Sequence, residues 1–64
     1  MYASDIMTVG ELADYLKCHS STIYRMLKRR EIPGAFRVGT DWRFRRDAIV
    51  EWTKKMGAEK RDDL

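Results

Sequence analysis

One stretch of this chain gathers donor groups at helical spacing: His19-Ser20-Ser21-Thr22-Ile23-Tyr24-Arg25-Met26-Leu27-Lys28-Arg29-Arg30. Wound at about 100° per residue, it places Ile23, Met26 and Leu27 on one side. Ser21, Arg25, Lys28 and Arg29 fall on the opposite side. Ser20 and Thr22 sit near the start, and Tyr24 lies on a flank. Guanidinium, ammonium and hydroxyl groups in a row are the donors that phosphates and base edges accept. A surface helix that merely solvates its charges shows the same row, so the rest of the chain has to decide between the two readings.

Charge distribution favours the first. The net charge of the 64 residues is only +3. Between Arg25 and Arg46, however, eight basic residues face two acidic ones, Glu31 and Asp41, and the remainder is net acidic. A chain polarised in this way has a positive face, the electrostatic footprint of polyanion binding. Seven of those eight bases are arginine, whose planar fork suits phosphate and guanine.

Several function classes drop out. A chain of this length makes one domain, with residues 6–56 expected as its ordered core and 57–64 as a charged tail. It buries only about 60% of its unfolded surface, so each large apolar side chain matters. The single cysteine excludes an internal disulfide. Cys18 and His19 are adjacent and are the only soft ligands, which argues against zinc or any other resident metal. No paired carboxylates, nucleophile–base set or phosphate-cradling glycine loop is present, so neither an enzyme nor a cofactor is expected. No apolar run approaches the roughly 18 residues of a membrane span, and Met1-Tyr2-Ala3-Ser4-Asp5 lacks the pattern of a signal peptide. A free thiol fits a reducing cytoplasm.

The elements that must position the donors can be read in order. Residues 1–5 are expected as a loose lead, with Ile6 or Met7 packing ahead of the first helix. Thr8-Val9-Gly10-Glu11 reads as a capping box. Val9, Leu12, Ala13 and Leu16 recur at i, i+3, i+4 and i+7, one apolar helical stripe. Lys17-Cys18-His19-Ser20 then breaks the phase. Cys18 is expected as a small buried hydrophobe at the turn. His19 or Ser20 caps the second helix, serine being the better cap by chemistry. That helix should end near Arg30 or Glu31, with Ile32 folding back onto the core and Pro33-Gly34 making a turn.

The period then changes. Phe36-Arg37-Val38 and Trp42-Arg43-Phe44-Arg45 alternate around Gly39-Thr40-Asp41, the signature of a hairpin. In this register Phe36, Val38, Trp42 and Phe44 face the core, and Arg37, Arg43 and Arg45 share the other face. A third helix is expected from about Arg46 to Lys55 or Met56, with Ile49, Trp52 and Met56 inward, Asp47 in its first turn, and Gly57 as its stop.

In this order the motifs resemble the small winged helix-turn-helix domains of the excisionase family, related to the MerR-type DNA-binding domain. The residues that carry the likeness are Thr8-Val9-Gly10-Glu11-Leu12-Ala13, Ser21-Thr22-Ile23-Tyr24-Arg25, Ile32-Pro33, Arg37-Val38-Gly39 with Trp42-Arg43-Phe44, and Arg46-Asp47-Ala48-Ile49-Val50-Glu51-Trp52. It covers residues 6 to 56. Asp41 departs from it, standing in a wing turn where that family often has a basic residue.

The resemblance implies a mostly α fold with a small β-hairpin wing. The second helix would enter the major groove of double-stranded DNA while the wing lies along the backbone or the minor groove. The expected DNA-binding residues are Ser20, Ser21, Thr22, Tyr24, Arg25, Lys28 and Arg29 on the helix, and Arg37, Arg43 and Arg45 on the wing. The likeness suggests an excisionase that assists an integrase; the small size of the domain separately implies either side-by-side binding on repeated sites or help from another DNA-bound protein. A small MerR-like transcriptional regulator is the alternative, and a protein-interaction domain that has lost DNA binding is another. The expected location is cytoplasmic, with the nucleoid.

Overall fold

The first helix begins where two side chains satisfy its open end. Thr8 Oγ1 accepts from the Glu11 backbone N–H at 3.1 Å, and Glu11 Oε1 accepts from the Thr8 N–H at 2.9 Å. This reciprocal box occupies two donors that an α-helix start leaves unpaired. The computed structural model describes residues 5–61, with side chains described for residues 5–57. The expected loose lead at 1–4 and the end of the tail at 62–64 lie outside them. The order is β1 (Ile6–Thr8), α1 (Val9–Leu16), α2 (Ser20–Lys28), β2 (Ala35–Val38), β3 (Asp41–Arg45) and α3 (Arg46–Arg61). Three helices and a small antiparallel sheet make a winged helix-turn-helix.

Both helices of the pair end in the same way, and neither uses glycine. Lys17 closes α1 in the left-handed region (φ 59°). Its N–H donates to the Asp14 carbonyl at 3.2 Å, and the Cys18 N–H reaches back to Ala13 at 2.9 Å. After α2, Arg30 is left-handed (φ 57°); its N–H donates to Leu27 at 3.0 Å and the Glu31 N–H to Met26 at 3.1 Å. Each pair of bonds is the Schellman pattern, which pairs carbonyls the helix leaves open. The α2 helix therefore stops at Lys28, two or three residues short of the expected end at Arg30 or Glu31. His19 occupies its N-cap, without a side-chain cap bond, and Ser20 is the first helical residue. Cys18 is half-buried against the core instead of enclosed, because the αL turn holds the chain at the surface.

The sheet corrects the sequence reading most. Strand order is β1-β3-β2, all antiparallel. The third strand, β1, was not expected; three residues are too few to display an alternation, and β3 supplies the pairing. In the hairpin, Val38 pairs with Asp41, Arg37 with Trp42, Phe36 with Arg43 and Ala35 with Phe44. The connection is thus the two residues Gly39-Thr40, with Gly39 at φ 65° in the position where a two-residue turn favours glycine. The expected Gly39-Thr40-Asp41 loop has odd length. Changing its parity turns every β2 side chain to the other face. Phe36 and Val38 accordingly lie outward, 37% and 54% exposed, alongside Arg43. Arg37 lies on the inner face beside Trp42. The three wing arginines do not share one face.

The core forms between the inner sheet face and the helices. Met7 and Phe44, cross-strand partners, are enclosed with Leu12, Ala13, Ile23, Ile32 and Ile49. Gly34 (φ 76°) lets the Pro33-Gly34 turn pass α3, since a Cβ there would stand 2.7 Å from that of Ala48. Its carbonyl accepts from the Arg45 N–H at 3.1 Å, fastening the turn to the β3–α3 junction. Ile49 is fully buried, and Trp52 packs against the core from α3. Gly57 does not stop this helix, which runs on to Arg61. Glycine inside a helix costs about 1 kcal/mol relative to alanine, a weakness and not a barrier.

Candidate nucleic-acid interface

The α2 helix presents one polar face, and its apolar phase dictates which. Ile23 is fully buried, while Met26 and Leu27 pack against the core. The residues opposite must face water. Ser21, Tyr24, Arg25 and Lys28, at i, i+3, i+4 and i+7, line one shallow depression along that side. Tyr24 is 51% exposed, so its hydroxyl is available as a donor. Arg25 and Lys28 lie in the last turns, where the helix dipole favours positive charge. Among the described residues, neither has a carboxylate within 4.0 Å.

The remaining α2 candidates stand apart from this row. Ser20, though exposed, lines the groove between the helices with Gly10, Glu11, Ala13, Asp14, Lys17 and its neighbours. Thr22 is half-buried on the far flank. Arg29 is exposed at the helix end and stands 4.0 Å from Glu31.

The wing arginines divide by face. Arg37 sits with Trp42, its guanidinium 4.9 Å from the ring centroid. Tyr24, Leu27, Lys28, Arg37 and Trp42 together line a notch of about 250 Å³ where α2 meets the sheet, so Arg37 continues the α2 surface. Arg43 faces the other way. It donates from Nη1 to the Trp42 carbonyl at 2.8 Å and lies 4.0 Å from Asp41. Arg45, on the same outer face, contacts Asp47 at 3.5 Å. The Asp47 carboxyl is held below its ordinary range by the Arg45 guanidinium and, next, by the Ala48 backbone N–H, which donates to it at 2.7 Å. The strand alternation marks Trp42 only as a core residue, which it is in part. The cue to its second contact was the hairpin parity, which places Arg37 opposite it.

A comparison with protein-family models matches residues 6–57 to a helix-turn-helix domain. The chain belongs to this helix-turn-helix domain family. The helix-turn-helix is a DNA-binding element, so the family match supports DNA as the kind of partner. The family match spans β1 to α3, so the helix-turn-helix and its wing fall inside one matched unit. No curated protein and no solved structure matches the chain significantly. Among the described residues, no helix is long and apolar enough to cross a membrane.

Proposed function

We propose that this helix-turn-helix protein binds double-stranded DNA with sequence preference, laying α2 in the major groove. The observation that carries this reading is the row Ser21, Tyr24, Arg25 and Lys28 on the exposed side of α2, whose two cations have no carboxylate partner among the described residues. Ser21, Thr22 and Arg25 contact base edges or adjacent phosphates, and Arg25 can take guanine bidentately. Lys28 binds phosphate, and Arg29, 4.0 Å from Glu31, adds to it through the general field at the helix end; Tyr24 donates its hydroxyl to the backbone, and Ser20 contacts phosphate at the helix start. From the wing, Arg37 grips the backbone beside α2. Arg43 and Arg45, each beside a carboxylate on the outer face, contribute through the general field more than through contact.

A single module of this kind buries only about 600–1,000 Å² of protein surface on DNA. We therefore assign it a role beside other DNA-bound molecules. The sequence resemblance supports an excisionase that assists an integrase, with binding of further copies on repeated sites. The test is fluorescence anisotropy with a random-sequence duplex and with genomic fragment pools across a salt series. Steep salt dependence with some fragments retained at higher salt supports specific recognition. Retained fragments clustered at the ends of an integrated element support the excisionase role, whereas promoter fragments replace it with transcriptional regulation. No binding at low salt sinks the DNA reading in favour of a protein-interaction domain.

A further inference from the structure

We propose that Trp42 is a positioning residue for DNA binding: its ring holds the Arg37 guanidinium at the notch between α2 and the sheet, where Arg37, Lys28 and Tyr24 together seat a phosphodiester group. The inference rests on the DNA-binding reading above and names the contact that joins helix and wing.

The geometry requires each part. Arginine carries a long stem with many rotamers, and fixing it in one place costs entropy. Arg37 lies exposed on the four-residue β2, near the hairpin turn. The Trp42 ring is its cross-strand partner, and the guanidinium lies 4.9 Å from the ring centroid. A guanidinium over an indole face is attracted by the ring quadrupole at this distance, and indole is the best such face. The indole is itself fixed, packed against the core beside Leu27. Stacking leaves the guanidinium N–H edges free to donate in the plane of the group, which is how arginine grips phosphate oxygens.

The notch then offers two cations and a hydroxyl around an apolar floor of Leu27 and Trp42. A phosphodiester, with one negative charge and two unesterified oxygens, fits that set of donors. A neutral ligand would leave both cations uncompensated. A carboxylate-bearing peptide would find the notch too, but the row continuing along α2 through Arg25 and Ser21 matches the repeating charge of a nucleic-acid backbone.

The experiment is a double-mutant cycle on Arg37→Ala and Trp42→Leu, read by anisotropy on a random-sequence duplex across a salt series, with thermal melts of each variant. Each single change is expected to weaken binding about tenfold, the scale of one charged hydrogen bond, and to lower the salt slope by about one. The double variant should bind no more weakly than Arg37→Ala alone, since the ring acts only through the guanidinium. A ring that merely supported the fold would move the melt but leave the salt slope intact. Losses that multiply, or an unchanged salt slope in Trp42→Leu, overturn the proposal.

Should Trp42→Leu fail to fold, Trp42→Phe keeps an aromatic face, and it is expected to bind within about threefold of the parent chain. The Arg37 Nε–H resonance of the free parent protein should also be displaced upfield by the indole ring current; no displacement overturns the proposal. If the parent chain binds no duplex at any salt, the DNA reading itself falls. If it binds and the cycle is uncoupled, only the role of Trp42 falls.

Discussion

Arg37 and Arg43 belong to one hairpin and to one run of basic residues, yet they occupy different surroundings. Arg37 lies over an aromatic ring on the face that adjoins α2. Arg43 lies on the opposite face, donating to a backbone carbonyl and standing near Asp41. The same division separates Arg25 and Lys28, which have no carboxylate neighbour among the described residues, from Arg45, which has Asp47. Positive charge alone does not make a nucleic-acid surface. What matters is which cations the fold leaves uncompensated on one continuous face: helical phase decides that for Arg25 and Lys28, and the β2–β3 register for Arg37.

The register can be broken directly. Phe44 is one of the two inward residues of β3 and is fully buried, whereas Phe36 lies outward beside Arg43. Phe44→Ala is expected to cost about 3–5 kcal/mol of stability, a large share of what a chain this small can have. Phe36→Ala is expected to cost about 1 kcal/mol or less. Denaturant melts compare the two. Equal losses would mean that Phe36 also faces the core and that the two faces have been assigned wrongly.

Next in size is the effect on binding of the uncompensated row. Arg25→Ala is expected to lose about 1–3 kcal/mol on a preferred site and to relax preference at one base position. Competition binding against single-base variants of that site measures both. A uniform loss across all variants would reassign Arg25 from base to phosphate.

Much of the helical part was legible in the sequence because its signals are local. The Thr8–Glu11 box, the Leu12–Ala13 stripe and the restart at Ile23 each lie within a few residues, and the structure contains all of them. The end of α1 was legible as the break in phase at Lys17, but the end of α2 was not, because Arg30 fills a left-handed position that usually carries glycine. Gly57, which did announce a stop, sits inside α3. The β2 face was lost to a single residue of loop length, and β1 to its brevity. On the candidate surface, the row through Ser21, Arg25 and Lys28 followed from helical phase alone. The place of Arg37 did not, because it depends on pairing between strands.

A sharper comparison sets Arg37 against Arg43 within the hairpin. Arg37→Ala should reduce the salt slope of binding by about one. Arg43→Ala should reduce it by well under one, because its guanidinium is already engaged with the Trp42 carbonyl and near Asp41. A salt titration on one duplex gives both slopes. If the slopes fall equally, the outer face touches DNA as well and the wing is gripped from both sides.

The smallest expected effect comes from releasing Arg45. Asp47→Asn keeps an oxygen that can accept from the Ala48 N–H but removes the charge beside Arg45. Because the Asp47 carboxyl is held below its ordinary range in the folded chain, its contribution to stability is present above the unfolded value. It is lost as pH falls through the lowered folded value. Acid melts of the parent chain should therefore show a small loss of stability at the acid end that Asp47→Asn does not show. At neutral pH the variant should bind DNA less than about threefold more tightly, with the difference vanishing at high salt, as for any exposed pair screened by solvent. A gain much larger than that would make the outer face a latent binding surface that its carboxylates hold in check, and the division between the two arginine sets would then be one of regulation and not of geometry.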